Sequence, residues 1–429
     1  MAMYRRTTLK NGMRVATAEL PHMASVCVGL WVGVGGRHET LDENGAAHFL
    51  EHMLFKGTPT RSARQISEEV EGLGGYLNAF TAEENTCYYA KASAEHYPEL
   101  LGVLFDMFLN AEFRPGDLRK ERDVILEENA MYLDQPHQLV LERVNEILWP
   151  NHPLGRSITG TTTSLKRMNR KRLQQFRNRH YTAANVLLVA AGGIDHRSFM
   201  KQARPFGGRL PEGRLATFKR VETKPERFRF RFIPRRVEQS QLAISIKTCS
   251  RHDPRQFALQ ALNTILGENM SSRLFQALRE DHGLAYSVYS SLSNYDDGGT
   301  LTITVGLDPE KLNHSLTLID AELRKLRDVV PAEDEVDRAA QYLIGQLDLH
   351  LENTENHMIW VGEQILGFGR IRAVDEIKKR IRAIKPEEVR QVASDFFHRA
   401  RTRLVVVGPK TSSVRPSPAF LASASRAKA

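Results

Sequence analysis

The sequence predicts an α+β chain made of two structural repeats, each a mainly antiparallel sheet packed with helices. Three observations lead to this. Both halves mix short apolar or alternating runs, which suit strands, with longer stretches of helical periodicity. A helix-then-strand pair over 167–192 returns over 385–408, about 216 residues later, and the hairpin over 76–93 has a counterpart at 285–307. Between the halves, Gly207, Gly208, Pro211 and Gly213 punctuate a linker. The expected division is a first domain over 1–204, a linker at 205–222 and a second repeat over 223–411. The Ser-, Ala- and Pro-rich tail at 412–429 is expected to be disordered.

Taken in order, residues 4–18 read as a hairpin turning at Asn11-Gly12. The run 25–33 is apolar on both faces and so suits a central strand. Gly33, Gly35 and Gly36 do not complete a dinucleotide fingerprint, because His38 follows and no βαβ unit surrounds them. A proline-free helix is expected over 43–55 and another over 62–73, the latter capped by Ser62. Strands over 76–81 and 85–93 follow, then helices over 95–110, 117–133, 138–149 and 164–180, and a strand over 185–191. The second half adds helices over 309–329, 333–351 and 355–366.

At 429 residues the chain can bury two or three cores, and its 41% hydrophobic and 26% charged residues are ordinary for a globular protein. There is no apolar run of membrane-spanning length and no basic-then-apolar leader over 1–20, so neither a span nor a secretory signal is expected. Cys27, Cys87 and Cys249 stand singly, without Cys-x-x-Cys spacing, which fits a reducing cytoplasm. The net charge of +9 would permit contact with nucleic acid. Its densest stretch, 166–179, interleaves Met168, Leu173 and Phe176 at helical spacing and reads as a solvated helix face. No stacking platform or zinc-finger spacing accompanies it, so nucleic acid is not an expected partner.

The chemistry gathers at 48–58, which reads His-Phe-Leu-Glu-His-Met-Leu-Phe-Lys-Gly-Thr. On a helix, His48 and His52 stand one turn apart and can close on one ion, with Glu51 on the same side. The order His-x-x-Glu-His inverts the commoner zinc motif without changing its chemistry: the histidines hold zinc and Glu51 takes a proton from the attacking water. Chance alone would place this string in roughly three chains per hundred of such composition, so a third ligand is needed. A zinc enzyme takes three protein ligands and leaves one position open. On the helix over 117–133, Leu118, Val124, Ile125, Met131 and Tyr132 form an apolar stripe with Glu121 and Glu128 in its middle. Buried carboxylates are costly unless something positive meets them. Glu128 is therefore the expected third ligand, and Glu121 the group that orients a histidine N–H.

These strings, with Leu77-Asn-Ala-Phe-Thr81, Thr86-Cys-Tyr-Tyr-Ala-Lys91 and Glu121-Arg-Asp-Val-Ile-Leu-Glu-Glu128, resemble the insulysin and pitrilysin family of inverted-zinc-motif peptidases. Within it they look most like the bacterial relatives of the mitochondrial processing peptidase β subunit. The resemblance implies a metallopeptidase roll of the LuxS and processing-peptidase kind, and a zinc endopeptidase holding one Zn²⁺ per chain. It implies that the strand with Asn78, Ala79 and Phe80 takes substrate in extended form by main-chain pairing. Two acids that hold a substrate arginine in processing peptidases fall on Gln138 and Glu142, so one charge is missing here and strict arginine specificity is not expected. Arg279 and Tyr286 match an arginine and tyrosine of the opposing lobe that hold the substrate and stabilise the oxyanion. At the repeat offset of the zinc motif stands Leu262-Asn-Thr-Ile-Leu266, without histidine, so only the first copy can bind metal. One chain carrying both residue sets points to a homodimer closing around a chamber, with a heterodimer as the other arrangement. The competing function is a non-catalytic core subunit of the same fold.

Overall fold

The structure is a computed structural model that describes residues 3–222 and 227–410 and the single residues 414, 416 and 421. The tail expected over 412–429 thus lies outside the described residues except for Val414, Pro416 and Leu421. The chain forms two compact units. One takes the residues up to Ala130, Arg156–Lys219 and Asp348–Ile371; the other takes Met131–Gly155, Arg220–Leu347 and the residues from Arg372 on.

The first unit is organised by a six-stranded sheet in the order β1-β2-β6-β3-β5-β4, from Tyr4–Thr8 (β1), Arg14–Glu19 (β2), Ser25–Val32 (β3), Tyr76–Thr81 (β4), Thr86–Ser93 (β5) and Val186–Gly192 (β6). Only β2 and β6 pair in parallel. The alternation of β3 explains its central place. Val26, Val28, Leu30 and Val32 face the main core, where the helix Tyr97–Asn110 contributes Leu100, Leu101, Leu104 and Phe108. On the opposite face Trp31 is fully buried, and its indole N–H points at the sulfur of Met358 in the helix Thr354–Phe368. That helix lies so close that a Cβ on Gly362 would sit 2.3 Å from the Trp31 ring, and only glycine fits.

The second unit has a five-stranded sheet in the order β7-β11-β8-β10-β9, from Arg229–Pro234 (β7), Ser240–Thr248 (β8), Ala285–Asn294 (β9), Gly299–Leu307 (β10) and Thr402–Gly408 (β11). Its pairing runs parallel for β7 and β11 and antiparallel throughout the rest, the same sequence of directions as β2-β6-β3-β5-β4. The expected α+β repeat is therefore present in the strand topology. Leu242, Ile244, Ile246, Leu404 and Val406 face the main core of this unit. Ala243, Val405 and Val407 face the other way and are covered by Leu139, Val140 and Val144 of the helix Pro136–Leu148.

Each unit thus borrows one helix from the other half of the sequence, which differs from the single division expected at 205–222. The cause is physical: both sheets are apolar on two faces, and the second face must be covered. The periodicity of a helix records that it has an apolar side, not which sheet that side will cover. The helix expected over 164–180 is two helices, Thr162–Arg167 and Arg170–His180. Asn169 leaves helical geometry between them and caps the second by accepting from Arg172 N–H at 3.0 Å. The helix His196–Gly207 was not expected and takes in the first of the glycines read as linker. Among the described residues no helix is long and apolar enough to cross a membrane.

Candidate metal centre

The helix Ala46–Leu54 presents a dry side and a polar one. Ala46, Phe49, Leu50 and Met53 are buried in the core of the first unit, which fixes the helix and leaves His48, Glu51 and His52 on the remaining face. The two imidazole rings lie 4.7 Å apart, centre to centre. The third group arrives on the helix Pro115–Asp134, whose buried side is Leu118, Glu121, Ile125 and Asn129. This corrects the expected stripe: Val124 and Met131 are about half exposed, and Leu126 instead packs partly against the core. The helix turns its polar residues inward because there are partners to meet them, and that cost is invisible to a count of apolar residues.

Glu128 Oε2 stands 3.7 Å from His48 Nε2 and 3.8 Å from His52 Nε2, and one donor atom from each residue falls within 4.8 Å of the others. In a tetrahedral zinc site, donors at ordinary bond lengths stand about 3.4 Å apart, so Glu128 is within a few tenths of an ångström of that spacing from each histidine. Burial, with His52 close by, lowers the pKa of His48 to about 4, which keeps the imidazole neutral with its lone pair free. The residues present fit a zinc ion. His52 is held from behind, its Nδ1 lying 3.2 Å from Glu121 Oε2, while Glu121 Oε1 accepts from Lys56 Nζ at 2.8 Å. A carboxylate on the far nitrogen fixes both the tautomer and the ring orientation of a ligating histidine.

Glu51 is half-buried, and its Oε2 accepts a hydrogen bond from Thr81 Oγ1 at 2.5 Å. Burial raises its pKa, against the lowering effects of the Thr81 bond and His52. Thr81 ends β4, which is an edge of its sheet. On β4 the side chain of Asn78 is exposed, Ala79 packs partly on the core, and Phe80 lies edge-on to Trp31 with ring centres 5.4 Å apart. The structure therefore brings together His48, Glu51, His52, Glu121 and Glu128, with β4 beside them through Thr81. Glu142, Arg279 and Tyr286 belong to the second unit. There Tyr286 is 77% exposed at the start of β9, and the Arg279 guanidinium lies 5.9 Å from its ring centre. Lys56 and Thr81 went unassigned from sequence, although both sit at the ends of the strings that carried the motif. Glu39, whose carboxylate meets the head of the histidine helix, left no sequence signal at all.

Two imidazoles and a carboxylate converging beside a held glutamate, on this two-unit fold, define a metallopeptidase-type centre. The family model described as insulinase, peptidase family M16, matches residues 14–162, and that of the peptidase M16 inactive domain matches 167–343. The chain belongs to the M16 peptidase family. It is 39% identical over 95% of its length to the protein named uncharacterized zinc protease Rv2782c of Mycobacterium tuberculosis, covering 94% of that protein. It is 38% identical over 92% of its length to uncharacterized zinc protease YmxG of Bacillus subtilis, covering 96% of that protein. Among solved structures, a protease from Helicobacter pylori superposes with a TM-score of 0.89 over 95% of this chain and 99% of that one, at 21% identity, a likeness of fold.

Proposed function

We propose that the chain is a zinc-dependent endopeptidase of the processing-peptidase kind, cleaving extended peptides or unfolded protein segments in a closed chamber, with one zinc per chain. The observation that carries this reading is the convergence of His48, His52 and Glu128 within 4.8 Å. The zinc protease names of the relatives support it.

When bound, zinc would polarise the scissile carbonyl and acidify a water. His48, His52 and Glu128 would hold it, and the Glu121 carboxylate keeps the His52 ring aimed. Glu51 accepts the proton of the attacking water and returns it to the leaving amine. The Thr81 hydroxyl fixes one Glu51 oxygen and leaves the other free for that exchange. The edge of β4, at Asn78, Ala79 and Phe80, takes the substrate backbone as an added strand, which binds many sequences with little selectivity. Glu142 is a further contact for a basic substrate side chain. Tyr286 donates to the oxyanion and Arg279 holds the substrate backbone, roles that rest on the family resemblance and on the exposure of both groups.

A non-catalytic core subunit would have no need of a complete donor set with a proton acceptor beside it. The inactive-domain match falls on 167–343, the half that lacks the histidines. We place the protein in the cytoplasm as a homodimer; light scattering on a fully active sample checks the latter, and a monomer would contradict it. The function itself is tested by zinc content after purification and by chelator-sensitive cleavage of an unstructured peptide library. Protein that takes up no zinc would end the reading.

A further inference from the structure

The histidine helix begins without a cap of its own. Gly45 stands at its head with φ +91° and has no side chain to accept from the first turn. That work falls to Glu39, which is 3% exposed. Its carboxylate accepts from Gly45 N–H and Ala47 N–H, both at 2.8 Å, and from Asn44 Nδ2 at 3.2 Å. Its backbone carbonyl accepts from Arg156 Nη1 at 3.1 Å.

From this point the contacts lead to the third donor. Asn44 Nδ2 also donates to the Ser157 carbonyl at 2.9 Å. A Cβ on Gly45 would lie 2.9 Å from Gly160 Cα, so the two backbones touch. On the other side of the loop, Thr159 Oγ1 donates to Asn129 Oδ1, and Asn129 Nδ2 approaches the Gly160 carbonyl at 3.4 Å. Asn129 is buried and directly follows Glu128. The loop 156–160 is thus clasped to the start of the histidine helix by Glu39 and Asn44, and to the neighbour of Glu128 by Thr159.

We propose that Glu39 is a positioning residue for the metal centre: through the loop 156–160 it fixes the histidine helix against Glu128 and so sets the spacing of the donors. The inference rests on the zinc reading above. It touches no reacting atom. Its effect is on how well three groups from two helices are pre-arranged, which is the property that outer contacts of a metal site control.

Glu39→Gln keeps the volume but replaces one acceptor oxygen with an NH₂ that must face a backbone N–H. The test uses the full chain, metal-free and then reloaded. Zinc affinity is read by competition with a chromophoric chelator, donor geometry by the visible spectrum of the cobalt-substituted protein, and the fold by far-ultraviolet circular dichroism. The expected result for Glu39→Gln is zinc binding weakened about tenfold or more, with an altered cobalt spectrum and unchanged dichroism. Thr159→Val leaves the Glu39 carboxylate and its bonds at the helix head intact and removes the hydroxyl that ties the loop to Asn129, together with its bond to Ser157 Oγ within the loop; a weakening of several-fold is expected. Wild-type affinity and cobalt spectrum in folded Glu39→Gln would overturn the inference. Should that variant not fold, wild-type values in Thr159→Val would do the same. A parent protein that binds neither metal would instead remove the zinc reading, and this inference with it.

Discussion

His52 and Glu121 are joined on the side of the imidazole away from the metal position: Nδ1 lies 3.2 Å from Glu121 Oε2, while Nε2 faces Glu128 at 3.8 Å. Lys56 takes the other Glu121 oxygen at 2.8 Å, so the carboxylate is held by two partners and cannot swing. Glu121→Gln would weaken the acceptor and lose the ion pair with Lys56. Zinc affinity, measured by chelator competition, should fall about 10–100-fold with the fold intact. An unchanged affinity would mean that His52 needs no support from behind.

Much of this centre was legible in the sequence, and the reasons are local. His48, Glu51 and His52 share one helix, where a spacing of three or four residues is itself a statement about geometry. Glu121 and Glu128 stood out as carboxylates among apolar residues of one helix, where burial demands partners; Glu121 is buried as that implies, while Glu128 is only half-buried. What could not be read is what depends on the meeting of distant segments. Nothing in the string around Glu39 says that its carboxylate will reach the head of a helix six residues on. Nothing in 354–368 says that it will cover Trp31. The break at Asn169 was missed because a capping side chain competes with the helix over a single residue, while the apolar spacing continues across it.

The packing of Gly362 on Trp31 gives a prediction for stability. Gly362→Ala introduces a methyl where the indole ring already stands, at 2.3 Å from the new carbon. The helix Thr354–Phe368 or the ring must move, and overpacking of this kind costs about 1–3 kcal/mol. Denaturant titration should show a lower midpoint with an unchanged slope. A midpoint equal to that of the parent would mean the helix yields freely.

Acid should destabilise the first unit through its buried histidines. Burial lowers the pKa of both His38 and His180 from the usual 6.5 to about 4, so each is neutral in the fold. Between those values the unfolded chain binds protons that the native chain does not, so this contribution to stability is present above about pH 6.5 and is lost as the pH falls towards 4. Glu39, pushed up to about 7 by burial, acts in the opposite sense over part of the range, so the comparison must isolate the histidine. Melting temperatures of metal-free wild type and His180→Phe should diverge between pH 7 and 4, the wild type falling more steeply. Parallel curves would contradict this.

Glu51 is the proton carrier of the proposed zinc centre. The most direct measurement pairs zinc content with peptide cleavage in Glu51→Gln. The amide is close in size and can still accept from Thr81, so the metal should be retained at the wild-type ratio. With no group able to take and return the proton, kcat should fall by about 10²–10⁴. Full zinc with near-normal cleavage would contradict the account.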